Sequence, residues 1–397
     1  MEIRTDPHRE TRVGHLQRDE SGLFARSANE RRLLALLQRS DALPGVEIAR
    51  HLGLSAQAVS VMTRKLEADG LIVRDDAVRG KVGKPQTPFR LAPDGAYSIG
   101  LRIGRRSADI VMVDFVGHTI GHGRTEYPFP APEEIDGFAR HMTDDLVGGL
   151  PTNRQNRVAG IGVGAPFELW NWLGAASAPS GSIEAWRDFN FEQAFSQWTD
   201  FPIFVGNDAS LACQGEAMFG AGRGQPDFGY LYLGAFIGGG VYLNGRLFAG
   251  ATGNAGAFGS LPVRDAHGNW GQLLEFASIH QLELAVGGGS GATAATIRPD
   301  AMWDAANPHL GSWIAETSHH IAYASMSVVA SFDVPLIILD GSFPPAILER
   351  LVAETELELA KVDRRGVRVP NLVAGTLGSK AGALGAAYEP ITNRLLE

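Results

Sequence analysis

Apolar residues first gather into a helical period near Asn29. Leu33, Leu34, Leu36 and Leu37 crowd one side of a helix carried to about Gln38, and Ser40-Asp41-Ala42-Leu43-Pro44-Gly45 breaks it. A second short helix is predicted from Glu47 to Leu52. Gly53 can supply the positive-φ turn that ends it, and Ser55 offers a side-chain oxygen to cap a third helix running to about Asp69. On that helix Val59, Met62 and Leu66 share a packing face, while Gln57, Ser60 and Arg64 share a different, polar one. Leu71-Ile72-Val73 and Thr87 to Leu91 then read as two strands around a basic, Gly-rich loop, Arg79 to Pro85. Residues 1–27 are polar, Arg-rich and aperiodic, and read as a mobile arm or a loosely docked helix.

From Tyr97 the period changes to that of strands. Ile99 to Ile103, Ala108 to Asp114 and a strand from Thr119 are separated by short turns, and the outline returns at Gly229 to Gly250. Two such openings imply a duplicated α/β fold. Between them lie an apolar strand, Val158 to Gly164, and the strand PIFVGNDAS, whose carboxyl end points Asn207 and Asp208 towards a cleft.

The chain has 397 residues, enough for two or three domains, with an apolar share of 44% that permits a sizeable core. Runs such as Val334 to Leu339 fall short of a membrane span, and the charged N-terminus lacks a signal-peptide stretch, so a cytoplasmic protein without membrane contact is expected. A lone cysteine, Cys213, excludes an internal disulfide and a thiolate zinc cluster. The net charge of −9 hides an asymmetry: residues 1–90 carry 16 Lys+Arg and 12 Asp+Glu, the remainder 19 and 32. A basic front on an acidic body fits local contact with a polyanion.

That front has what a DNA reader needs. A helix entering the major groove requires a polar outward face near its N-terminus, where Gln and Arg pair with adenine and guanine edges. Ser55, Gln57, Ser60, Arg64 and Lys65 supply it, and Arg79, Lys81 and Lys84 form a wing suited to phosphate or minor-groove contact. Any small three-helix domain exposes a polar face; it is the order of helix-turn-helix, Ser55 cap and basic hairpin that favours operator DNA.

Three stretches, VGNDASLACQGEAMFGAGRG, GGGVYLNGRLFAGATGNAGAFG and SKAGALGAAYEP, resemble the ROK family of repressors and sugar kinases. The resemblance runs from about Asn29 to Tyr388. It implies a two-lobed, actin-like (hexokinase-like) body flanking a sugar cleft, behind the winged helix of the repressor branch. The organisation expected is an arm at 1–27, a winged helix at 28–92, a first lobe at 93–206 with the helix 379–390 returning to it, and a second lobe at 207–378.

The family's kinase loops are altered here. Where kinases carry Asp-x-Gly-Gly-Thr, this chain reads Arg102-Ile103-Gly104-Arg105-Arg106; Phe236 replaces a small residue of the second phosphate loop; and Gly341-Ser342 is followed by Phe343-Pro344-Pro345. The resemblance thus implies a regulator rather than an enzyme, with no cofactor, although the two arginines are also apt to bind phosphate directly. Asp208 matches the kinase base and pairs with Asn207 as hydroxyl-binding groups; Asp208 capping the following helix is the structural alternative. The sugar-binding Glu and zinc-binding His of the family are replaced in Ala255-Gly256-Ala257-Phe258-Gly259-Ser260, and the zinc cysteines are missing from 266–273. Gly256, Ser260 and Ser180, the last where members often place Asn, complete the effector candidates. Phe167, Trp170, Trp172, Trp186 and Trp270 serve equally as stacking platforms or core. The expected function is a DNA-binding repressor controlled by a sugar or sugar derivative, as a homodimer able to pair into a tetramer. The alternatives are a sugar kinase with an appended DNA-binding domain and a protein-binding scaffold.

Overall fold

A computed structural model describes residues 22–40, 42–75, 87–166, 182–265, 267–287 and 299–396. The front is three helices and a small sheet: α1 (Ala28–Ser40), α2 (Gly45–Leu52) and α3 (Ala56–Ala68), with β1 (Leu43–Pro44), β2 (Ile72–Arg74) and β3 (Pro88–Leu91) in the order β1-β3-β2. A capping box starts α1: Ser27 Oγ accepts from the Glu30 N–H at 3.3 Å, and the Glu30 carboxylate accepts from the Ser27 N–H at 2.8 Å. Gly53, at φ 67°, closes α2. Ser55 Oγ accepts from the Ala58 N–H at 3.1 Å to start α3.

Two features differ from the sequence expectation. The break after α1 contains β1, which pairs Leu43 and Pro44 with Phe89 and Pro88; two residues leave no alternation to read, and proline is tolerated because β1 is an edge. Within the arm expected at 1–27, the described residues from Gly22 onward are docked: Phe24 is buried, Arg26 pairs with Asp69 and Arg394 stacks on the Phe24 ring.

The body repeats one topology. The first sheet has the order β6-β5-β4-β7-β8, from β4 (Tyr97–Ile103), β5 (Ser107–Asp114), β6 (Thr119–Glu126), β7 (Val158–Ala165) and β8 (Ile203–Asn207). The second runs β11-β10-β9-β14-β15, from β9 (Phe228–Leu233), β10 (Ile237–Leu243), β11 (Arg246–Leu247), β14 (Leu336–Gly341) and β15 (Asn371–Ala374); between them in sequence, β12 (Pro262–Arg264) and β13 (Trp270–Gln272) form a hairpin. In each sheet three antiparallel strands are continued by two parallel ones. The helices used below are α4 (Pro132–Gly148), α5 (Asp208–Phe219), α6 (Ile279–Val286), α7 (Leu310–Phe332), α8 (Pro345–Leu359) and α9 (Ala381–Ile391).

Helix α9 joins the parts. A Cβ on Gly100 would stand 2.2 Å from the Ala383 carbonyl oxygen, one on Gly162 1.8 Å from that of Ala386, and one on Gly385 1.7 Å from that of Leu211. Glycine at these positions lets α9 lie directly on the first sheet and on α5. Its far end belongs to the front's core, where Tyr388, Ile391 and Leu395 share one apolar cluster with Leu33, Leu34, Leu37 and Leu66.

Candidate DNA-reading face and interlobe cleft

Helix α3 is anchored by Val59, Thr63 and Leu66, which are buried, so its opposite side faces outward. Ser55, Gln57, Ser60 and Arg64 are all exposed there. Arg64 Nε donates to the Ser60 carbonyl at 3.1 Å, which lays its guanidinium along the helix. Lys65 is exposed as well, and its Nζ lies 2.7 Å from the buried Glu30 carboxylate, tying α3 to α1. Burial pushes that carboxyl up, but Lys65, Ser27 and their hydrogen bonds outweigh it and hold it below the ordinary range. Arg79, Lys81 and Lys84 lie outside the described residues, as do Ser180, Phe167, Trp170 and Trp172.

In the cleft, Asn207 ends β8 and α5 begins at once. The cap of α5 is Asn207 rather than Asp208: its Oδ1 accepts from the N–H groups of Ala209 and Ser210 at 3.0 and 3.1 Å. The capping role weighed for Asp208 falls to its neighbour because Asp208 already has helical backbone; its Oδ1 accepts from the adjoining Ala209 N–H, at 2.9 Å. Its Oδ2 stands 3.9 Å from Arg102 Nη2. Burial pushes the Asp208 carboxyl up, opposed by Arg102 and the backbone donors. Arg102 in turn has Asp109 Oδ2 at 3.9 Å and the Tyr232 ring below it, and its side chain is only 12% exposed. Arg102 is thus a nearly buried cation beside Asp208.

The next two arginines reach α6. Arg106 Nη2 lies 3.1 Å from Glu283 Oε2 on α6, and Arg105 Nη1 lies 3.7 Å from the same oxygen. Arg105 also donates to His280 Nδ1 at 3.0 Å and sits over the Phe236 ring, while Phe236 meets the His280 ring edge-on. That nitrogen also lies 3.2 Å from Glu283 Oε2. Burial raises the Glu283 carboxyl, but His280, Arg106 and Arg105 together bring it below the usual range. Side chains thus join the β4–β5 turn to α6 and to Phe236. Sequence reasoning missed His280 and Glu283, which sit on an ordinary amphipathic helix with no motif around them.

The remaining candidates separate. Gly256, at φ 84°, packs its Cα on Gly240, where a Cβ would fall 2.6 Å from that residue's Cα; Ser260 is exposed at the end of the same loop. Trp186 is core, its Nε1 donating to the Pro130 carbonyl at 2.8 Å, whereas Trp270 is exposed and stacked on Arg264. His267 is exposed, and among the described residues no three His, Cys, Asp or Glu side chains gather as a metal site.

A winged helix with an outward polar helix, set on two lobes of repeated sheet topology, defines the class: a DNA-binding head carried by a sugar-kinase-like body. The chain belongs to the ROK family, whose profile matches residues 98–389, and its front matches the winged helix-turn-helix DNA-binding family over residues 26–73. It is similar to protein y4fQ of Sinorhizobium fredii, at 27% identity over 92% of this chain and 91% of that one. It is 20% identical to the xylose repressor of Bacillus subtilis over 60% of this chain and 62% of that repressor. A solved ROK family transcriptional regulator, described as a homolog of the E. coli MLC protein, superposes with a TM-score of 0.65 over 93% of this chain and 97% of its own, at 17% identity, a likeness of fold. Among the described residues no helix is long and apolar enough to cross a membrane.

Proposed function

We propose that this protein is a transcriptional repressor whose winged helix binds an operator and whose cleft binds a sugar or sugar derivative, without phosphotransfer. The observation that carries the reading is the Arg105–Arg106–Glu283 bridge, with Arg102 beside Asp208. A phosphate loop works by leaving backbone N–H groups and space for the γ-phosphate and its metal. Here the approach is filled by guanidinium groups and an aromatic ring already committed to protein partners. Asp208 then serves as a hydroxyl acceptor and the Asn207 amide, its oxygen spent on the cap, as a donor; Ser180, Gly256 and Ser260 are the secondary candidates.

The signal has a continuous route through packed groups. Gly382, in the first turn of α9, packs on Arg102, where a Cβ would lie 2.5 Å from its Cδ. The other end of the same helix lies in the core of the winged helix. A ligand that shifts the lobes shifts the seat of α1, and by linkage DNA alters ligand affinity by the same factor. A symmetric dimer would present two α3 helices to paired half-sites.

The test is incubation with ATP, magnesium and a panel of hexoses. The reading expects no ADP above a protein-free background; steady turnover would establish the kinase alternative.

A further inference from the structure

Val61 stands at one edge of the reading face of α3, next to Gln57, yet its side chain is apolar and 54% exposed. At 3.6 residues per turn it lies within about 40° of Gln57 and about 60° of Arg64 around the helix axis. The buried residues Val59, Thr63 and Leu66 occupy the other side. Among the described residues nothing in the winged helix covers this valine, and Gln57, Ser60 and Arg64 on the same exposed side are the side chains proposed to meet base edges.

We infer that Val61 is a specificity-determining residue that reads thymine. The inference rests on α3 being the DNA-reading helix. Given that, Val61 enters the major groove beside the longer side chains of Gln57 and Arg64. The base edges there present donors and acceptors and one apolar group, the C5-methyl of thymine. A half-exposed valine gains from covering that methyl and gains nothing from a cytosine amine, whose hydrogen bonds to water it would displace. Gln57 and Arg64 read hydrogen-bonding edges; Val61 reads the one feature that hydrogen bonding misses.

The test uses the full chain. A duplex is selected from a randomised library, and each thymine is then replaced singly by deoxyuridine, which removes only the methyl. Fluorescence anisotropy should show one or two replacements weakening binding about three- to fivefold, the scale of one buried methyl group. Val61→Ala should weaken the thymine duplex by a similar factor and be indifferent to those replacements, while Val61→Thr, which keeps one methyl, should fall between. If no replacement matters, or if Val61→Ala remains as sensitive as the parent, Val61 does not read thymine. If no duplex is enriched at all, α3 is not a DNA reader, and that underlying assignment is overturned with it. Because Val61 is exposed, thermal melting of both variants should match the parent.

Discussion

The reading face of α3 and the floor of the cleft both carry arginines, but they hold them in opposite states. On α3, Gln57, Ser60 and Arg64 are exposed, with polar groups turned to solvent. In the cleft, Arg102 is nearly buried between Asp208 and Asp109, and Arg105 and Arg106 are engaged by Glu283 and His280. Arg64 bonds only within its own helix turn among the contacts described, at the Ser60 carbonyl, whereas the guanidinium groups of Arg102, Arg105 and Arg106 are held by carboxylates. The same residue type is thus an exposed side chain in one region and an internal bridge in the other.

Reversing the bridge should break this contrast most forcefully. Glu283→Arg places a third guanidinium against Arg105 and Arg106 and should lower stability on the order of 3 kcal/mol, read as a reduced melting temperature. Adding Arg106→Glu should restore much of it; no recovery would mean that the pairs do not hold the lobes.

Acid should weaken the body and spare the head. His320, packed on Phe276 and 4% exposed, has its pKa pushed down to about 4 by burial and by neighbouring His319. Its folded value is depressed, so its contribution is complete above the unfolded value near 6.5 and is lost as the pH falls towards 4. At pH 5 the loss should be on the order of 2 kcal/mol. Urea unfolding of the parent and His320→Gln between pH 7.5 and 5 checks it: the variant should lose that part of the dependence.

The head should respond through specificity. Arg64→Ala should cost about 1–2 kcal/mol on a selected duplex and almost nothing on random DNA; equal losses on both would make Arg64 a phosphate contact. Smallest is the cap: Ser55→Ala frees the Ala58 N–H and should cost about 1 kcal/mol of stability, seen in denaturant midpoints.

The sequence made the head legible because each signal is local. The Ser55 cap, the Gly53 turn and the spacing of Val59 and Leu66 fix helices within a few residues of one another. The repeated sheets were readable for the same reason, as strand, turn, strand. What stayed hidden depends on distance. Glu283 lies 177 residues from Arg106, and nothing near either announces the partner. The Lys65–Glu30 pair that joins α3 to α1 is likewise not announced by either residue's neighbours, and Asn207 rather than Asp208 caps α5, a distinction of a single residue set by backbone angles.

The most direct test of coupling is the affinity of the selected duplex, measured by anisotropy across a panel of sugars, polyols and sugar acids. At least one compound should change Kd by about fivefold or more, within the usual range of coupling, and Asp208→Asn should abolish the change while leaving DNA affinity without ligand intact. A panel that leaves Kd unmoved, or an effect that survives Asp208→Asn, would contradict a cleft that reports to the winged helix.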